Sequence, residues 1–150
     1  MDLILWRHAE AEEGRPDLER ALTSRGRKHA GRVAKWLLER LPSKVKVISS
    51  PAKRARQTAD ALGLAVKVSP RLAPGASVAE ILKAADWPDR KGAVVLVGHQ
   101  PDFGTAAAYL VAGAHSEWPV RKGGLWWLNY RERGGEAQVN VRAVIGPDLI

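Results

Sequence analysis

At 150 residues, 45% of them hydrophobic, the chain is long enough to bury roughly 70% of the surface that its unfolded form exposes, so one ordinary domain over residues 1–150 is expected. Cysteine is absent, which excludes disulfides, thiolate nucleophiles and cysteine metal ligands and suits a reducing cytoplasm. The 24 Lys and Arg against 16 Asp and Glu give a formal charge of +8, a field that attracts anions without choosing among nucleic acid, a phosphorylated small molecule and an acidic protein.

The first residues carry no basic region ahead of a short apolar run, and no apolar run approaches the roughly 18 residues of a membrane span. The expectation is a soluble, unprocessed, cytoplasmic protein. Leu3-Ile4-Leu5-Trp6 then runs straight into Arg7-His8. A continuous apolar run reads as a strand buried on both faces, and ligands of open α/β sheets gather beyond the carboxyl ends of such strands. Glu10 to Ala21 is polar, contains Gly14 and Pro16, and reads as a loop long enough to overhang that site.

Thr23 or Ser24 caps the next helix, in which Ala30, Val33, Ala34, Leu37, Leu38 and Leu41 fall at helical spacing before Pro42 ends it. His29, beside that stripe, reads as a helix-flank histidine rather than a catalyst. Val45, Val47 and Ile48 form a second strand, and Ser49-Ser50-Pro51 supplies a cap followed by proline at a first helical position. Arg54 falls in or near the first turn of that helix, Thr58 shares its face, and Gly63 closes it.

A third strand is expected over Ala65 to Val68. Ser77-Val78-Ala79-Glu80 reads as a capping box for a short helix ending near Trp87-Pro88, which gives Glu80 a structural role. Ala93 to Val97 is the clearest buried strand, and it too runs into a histidine, at Gly98-His99-Gln100-Pro101. Asp102 can cap the helix that follows. Leu125 to Tyr130 and the alternating Ala137 to Val144 flank a turn at Arg131 to Gly135, the pattern of an antiparallel hairpin at a sheet edge. The fold class is therefore α/β: a three-layer α/β/α sandwich with a mainly parallel sheet and an antiparallel edge hairpin.

If the three strands are neighbours, Arg7, His8, Arg54 and His99 share one crevice. Planar guanidiniums bind two phosphate oxygens at once, a helix amino terminus adds partial positive charge, and an imidazole can attack a phosphorus atom held this way. Phosphoryl transfer through histidine is the chemistry that this set of residues suits.

Arg7-His8-Ala9-Glu10, Leu22-Thr23-Ser24-Arg25-Gly26, Ser49-Ser50-Pro51 with Arg54 and Thr58, and Val97-Gly98-His99-Gln100-Pro101 together resemble the signature motifs of the histidine phosphatase superfamily. This is the phosphoglycerate-mutase-like fold, and the resemblance is to its short SixA-type phosphohistidine phosphatase branch. It implies a single histidine phosphatase domain in which His8 is transiently phosphorylated while Arg7, Arg54 and His99 bind the phosphoryl group, His99 as a donor whose protonated form the arginine-held phosphate charge steadies. Thr23 and Gly26 are expected to shape the turn rather than touch substrate. No cofactor and no metal are implied; a two-histidine metal site completed by Glu10 or Glu12 is the weaker reading, because the arginines repel a cation.

Larger members of the superfamily carry a general-acid glutamate where this chain, at Arg71-Leu72-Ala73-Pro74, has Pro74. Glu10 and Glu80 are the remaining candidates for that acid. An alkoxide leaves slowly without one, whereas a protonated imidazole leaves readily, so the missing acid favours a phosphohistidine substrate on a partner protein, such as a phosphotransfer domain or phosphocarrier. A small-molecule phosphomonoesterase is the first alternative. A non-catalytic phosphate- or nucleic-acid-binding module, suggested by the +8 charge and six tryptophans, is the second, with nucleic acid the disfavoured partner.

Overall fold

The computed structural model describes residues 1–150. Its strands are β1 (Asp2–Arg7), β2 (Val45–Ser49), β3 (Val66–Val68), β4 (Ala93–Gly98), β5 (Leu125–Arg133) and β6 (Glu136–Ile145), and its α-helices α1 (Ser24–Leu38), α2 (Lys53–Asp60), α3 (Val78–Ala85) and α4 (Asp102–Ala112). The six strands form one sheet in the order β3-β2-β4-β1-β5-β6. β3, β2, β4 and β1 run parallel, and β5 and β6 add an antiparallel ribbon on the far side of β1. The α/β class and the edge hairpin follow the expectation; no helix is long and apolar enough to cross a membrane.

Alternation along the central strands builds two cores. Ile4 and Trp6 of β1 with Val95 and Val97 of β4 meet Ala30, Val33 and Leu37 of α1 and Ala55 and Ala59 of α2. Leu3, Leu5, Val94 and Leu96 point the other way, onto Ile81 and Ala85 of α3 and Phe103, Ala106 and Ala107 of α4. Burial on both faces is the reason these strands carry unbroken apolar runs.

Four local expectations change. α1 stops at Leu38, which is exposed, because its buried stripe ends at Leu37. α2 begins at Lys53 behind Ala52, so Ser50 does not cap it. Ser77 does accept from the Glu80 amide at 3.2 Å, but the Glu80 carboxylate pairs with Arg71 at 2.8 Å, so only half of the capping box forms. Asp102 opens α4 without capping it; its Oδ2 accepts instead from the amides of Gly75 and Ala76, at 2.9 and 3.1 Å. In the hairpin, Gly134 and Gly135 have φ of 56° and 82°, the two positive values that a tight two-residue turn requires.

Candidate active site at the ends of β1, β4 and β2

Strand register brings the site together. Arg7 pairs with Gly98 and Ser49 with Val97, so the next residues of three neighbouring strands, His8, His99 and Ser50, emerge side by side. The turn is tied by His8 N donating to Gly98 O at 3.0 Å and Ser50 N to Val97 O at 2.9 Å. The two imidazoles lie with ring centroids 5.3 Å apart, and both are nearly covered, His8 being 8% and His99 4% exposed.

His8 Nδ1 lies 2.7 Å from the carbonyl of Ala9, an acceptor with no proton of its own, so the proton sits on Nδ1 and the Nε2 lone pair faces outward. Ala9 is fixed in turn, its amide donating to Thr58 Oγ1 at 3.1 Å while that hydroxyl donates to Arg54 O at 2.8 Å. Arg54 reaches in from the first turn of α2, its Nε donating to His8 Nε2 at 3.3 Å. Burial, with Arg54 and Arg7 adding to it against the Ala9 hydrogen bond, holds the His8 imidazole down at about 4. His99 Nε2 meets Ser50 Oγ at 2.7 Å, and burial together with His8 and Arg54 holds it at about 3. Both rings are therefore neutral near pH 7, and their mutual burial beside the arginines disfavours a cationic His99.

Arg7 donates from Nη1 to the carbonyl of Val120 at 2.7 Å, while its buried Nε has no acceptor. Burial lowers this guanidinium from its ordinary value, yet not to where it would lose its charge. Around these groups lies a cavity of about 300 Å³ lined by Arg7, His8, Arg54 and His99 with Ala11, Glu13, Arg20, Pro74, Gln100 and Lys122. All four residues named from the sequence are thus in one place.

The carboxylates singled out from the sequence stand elsewhere. Glu10 accepts from Thr23 Oγ1 at 2.9 Å at the start of α1, and Glu80 is held by Arg71. Thr23 and Gly26 serve the turn, Thr23 Oγ1 accepting from the Gly26 amide at 2.9 Å. Pro74 does lie in the wall, at the position where an acid was sought. Glu13, Arg20 and Lys122 in the lining went unmarked in the sequence; they sit in loops without periodicity, where only the fold brings them to the rim. His8 and His99 are accompanied by arginines, and no three His, Asp or Glu side chains cluster closely enough to hold a metal ion.

Comparison with known proteins places the chain by family and by fold. The profile of the histidine phosphatase superfamily (branch 1) matches residues 3–77. An uncharacterised protein of Picosynechococcus is 32% identical over 93% of this chain and 88% of its own length. Among solved structures, SixA of Nakamurella multipartitia superposes with a TM-score of 0.80 at 28% identity, covering 97% of this chain and 95% of that one. The protein histidine phosphatase SixA solved with tungstate also gives 0.80, at 23% identity over 99% of each chain, a likeness of fold.

Proposed function

The chain belongs to the histidine phosphatase superfamily, and from that membership we propose that it is a cytoplasmic phosphatase of phosphohistidine on partner proteins, built as one domain over residues 1–150. The observation that carries the reading is the His8 ring: its proton is committed to Ala9 O, and its free Nε2 looks into a pocket whose near neighbours are guanidiniums. A neutral imidazole in that tautomer is a competent nucleophile at neutral pH.

In this mechanism the substrate phosphoryl group takes the place of the Arg54 Nε contact at His8. Nε2 attacks phosphorus, the bond from phosphorus to the substrate imidazole breaks, and the departing ring takes its proton from solvent. Arg7 and Arg54 hold the non-bridging oxygens as charge shifts onto them. The anion also favours a proton on His99, which then donates to it. Water attacks the phosphorus of phospho-His8 in the second step, releasing inorganic phosphate and returning the free imidazole.

Phosphohistidine suits this pocket because neither Glu10 nor Glu80 is available as an acid and Pro74 cannot serve as one. A second reading, hydrolysis of small phosphate monoesters, draws support from Glu13, the carboxylate in the lining. Turnover of a phosphohistidine protein beside a panel of sugar, serine and nucleotide monophosphates decides between them. Hydrolysis of the monoesters alone overturns the first reading. Acid-labile phosphate trapped from a phosphodonor and mapped by mass spectrometry is expected on His8, and label at any other residue refutes the mechanism.

A further inference from the structure

The Arg54 guanidinium is gripped on its outer side by Asp17, which the sequence motifs do not include and which does not line the cavity. Nη1 donates to the Asp17 carbonyl at 2.8 Å and Nη2 to Asp17 Oδ2 at 3.1 Å, so one residue occupies the end-on pair of N–H groups with a backbone and a carboxylate oxygen. A guanidinium is planar and its N–H directions are fixed. With the end-on pair taken, the side-on pair, Nε–H and the second Nη2–H, is left on the flank that faces His8, and Nε does donate to His8 Nε2 at 3.3 Å. Two parallel donors directed there match two oxygens of a phosphoryl group on His8.

Asp17 is itself anchored. Its Oδ1 accepts from Arg20 Nε at 3.1 Å, and Arg20 Nη1 donates to Glu12 O at 3.1 Å. The loop that carries Asp17 is closed at its base by the Ala11–Leu22 bridge, and Leu22 N donates to Gln57 Oε1 of α2 at 2.8 Å. One carboxylate therefore joins two cavity-lining arginines whose like charges otherwise push them apart. Desolvation pushes the Asp17 carboxyl up, but Arg54 and Arg20 outweigh it and hold it below the usual carboxylate range, ionised near neutrality. The Asp17 side chain is 58% exposed against 5% for Arg54, so solvent screens the attraction between them. What the contact supplies is direction more than binding strength.

We propose that Asp17 is a positioning residue for phosphoryl transfer, setting the side-on fork of Arg54 toward His8; the proposal deepens the reading of His8 as the phosphorylated residue. Removing the carboxylate leaves only the Asp17 backbone carbonyl on Nη1, a single bond about which the guanidinium can swing, and misplacement of a reacting-site group by about 1 Å costs on the order of 100-fold in rate.

The test compares wild type, D17A and D17N for the rate of phospho-His8 formation from phosphoramidate, for inorganic phosphate affinity by calorimetry, and for hydrogen exchange of the Arg54 Nε–H by 15N NMR. D17N keeps an acceptor oxygen for Nη2. D17A is expected to lose about tenfold or more in rate while phosphate affinity changes little, since the arginines keep their charge; D17N stays close to wild type. Urea midpoints identify any loss due to unfolding, and D17N keeps the comparison sound if D17A is destabilised. An unchanged rate in D17A, or an equal loss in D17N, overturns the proposal. If wild type forms no phospho-His8, the functional reading fails separately, and exchange of the Arg54 Nε–H decides the role of Asp17. Faster exchange in D17A alone supports it, and equal exchange in all three proteins overturns it.

Discussion

Replacing Gly26 by alanine probes how tightly the start of α1 sets the residues beside His8. A Cβ at Gly26 would lie 2.1 Å from the backbone oxygen of Glu10 and 3.0 Å from its carbonyl carbon, about 1 Å closer to the oxygen than real contacts come. Neither side can yield cheaply, because Gly26 is in the first turn of α1 and Glu10 O also accepts from Thr23 N at 3.0 Å. Overpacking and the strained hydrogen bond together cost roughly 2–4 kcal/mol. Alanine's better helix propensity returns at most about 1 kcal/mol, so the clash wins. In a domain of this size a net cost of about 1–3 kcal/mol should lower the melting temperature by roughly 2–12 °C. Glu10 directly follows Ala9, whose carbonyl fixes the His8 tautomer, so a shift of about 1 Å there should also slow phospho-His8 formation by on the order of 100-fold. Circular dichroism melting and the single-turnover labelling rate measure the two effects. A variant that melts at or above the wild-type temperature with an undiminished labelling rate would refute the reasoning.

Both histidines have folded values, about 4 for His8 and about 3 for His99, below the ordinary 6.5. The unfolded chain therefore takes up protons first as pH falls, and stability should decline from about pH 6.5 down toward pH 3, with no contribution from these rings above that window. Urea unfolding at pH 7 and pH 4 checks the sign, and a H8Q/H99Q double variant should show a shallower slope. The acid limb of kcat/KM should likewise lie nearer 4 than 6.5, and a limb at 6.5 or above contradicts the buried, neutral nucleophile. D102A strands the Gly75 and Ala76 amides and frees the loop that carries Pro74 into the cavity wall, at a cost of about 2 kcal/mol, whereas D102N retains an accepting oxygen and should cost less. Equal urea midpoints for wild type and D102A would contradict that role.

The strands and helices were legible because each has a period that burial imposes. β1 and β4 read as unbroken apolar runs since both faces are covered, whereas the turn expected over Arg131 to Gly135 contracts to Gly134-Gly135, two positive φ values in succession being enough to close it while β5 runs on to Arg133. Arg7, His8, Arg54 and His99 were legible as neighbours because each ends, follows or opens an element at the end of the sheet where ligands gather. The caps expected at Glu80 and Asp102 give way to distant partners, Arg71 for the Glu80 carboxylate and the amides of Gly75 and Ala76 for Asp102. Ser50 Oγ keeps a local partner, the Ala52 amide at 3.2 Å, and meets His99 as well, but α2 opens only at Lys53.

Sequence by itself picked out His8, Arg54 and the sheet that presents them, because these depend on residue type and on repeats a few positions long. Only the tertiary structure decided which carboxylates reach the cavity, which His8 nitrogen carries the proton, and that Asp17, at the start of a short 3-10 turn, grips Arg54 from 37 residues away. Hydrogen bonds of that kind depend on where a chain returns in space, and the spacing of residues along it does not encode that return.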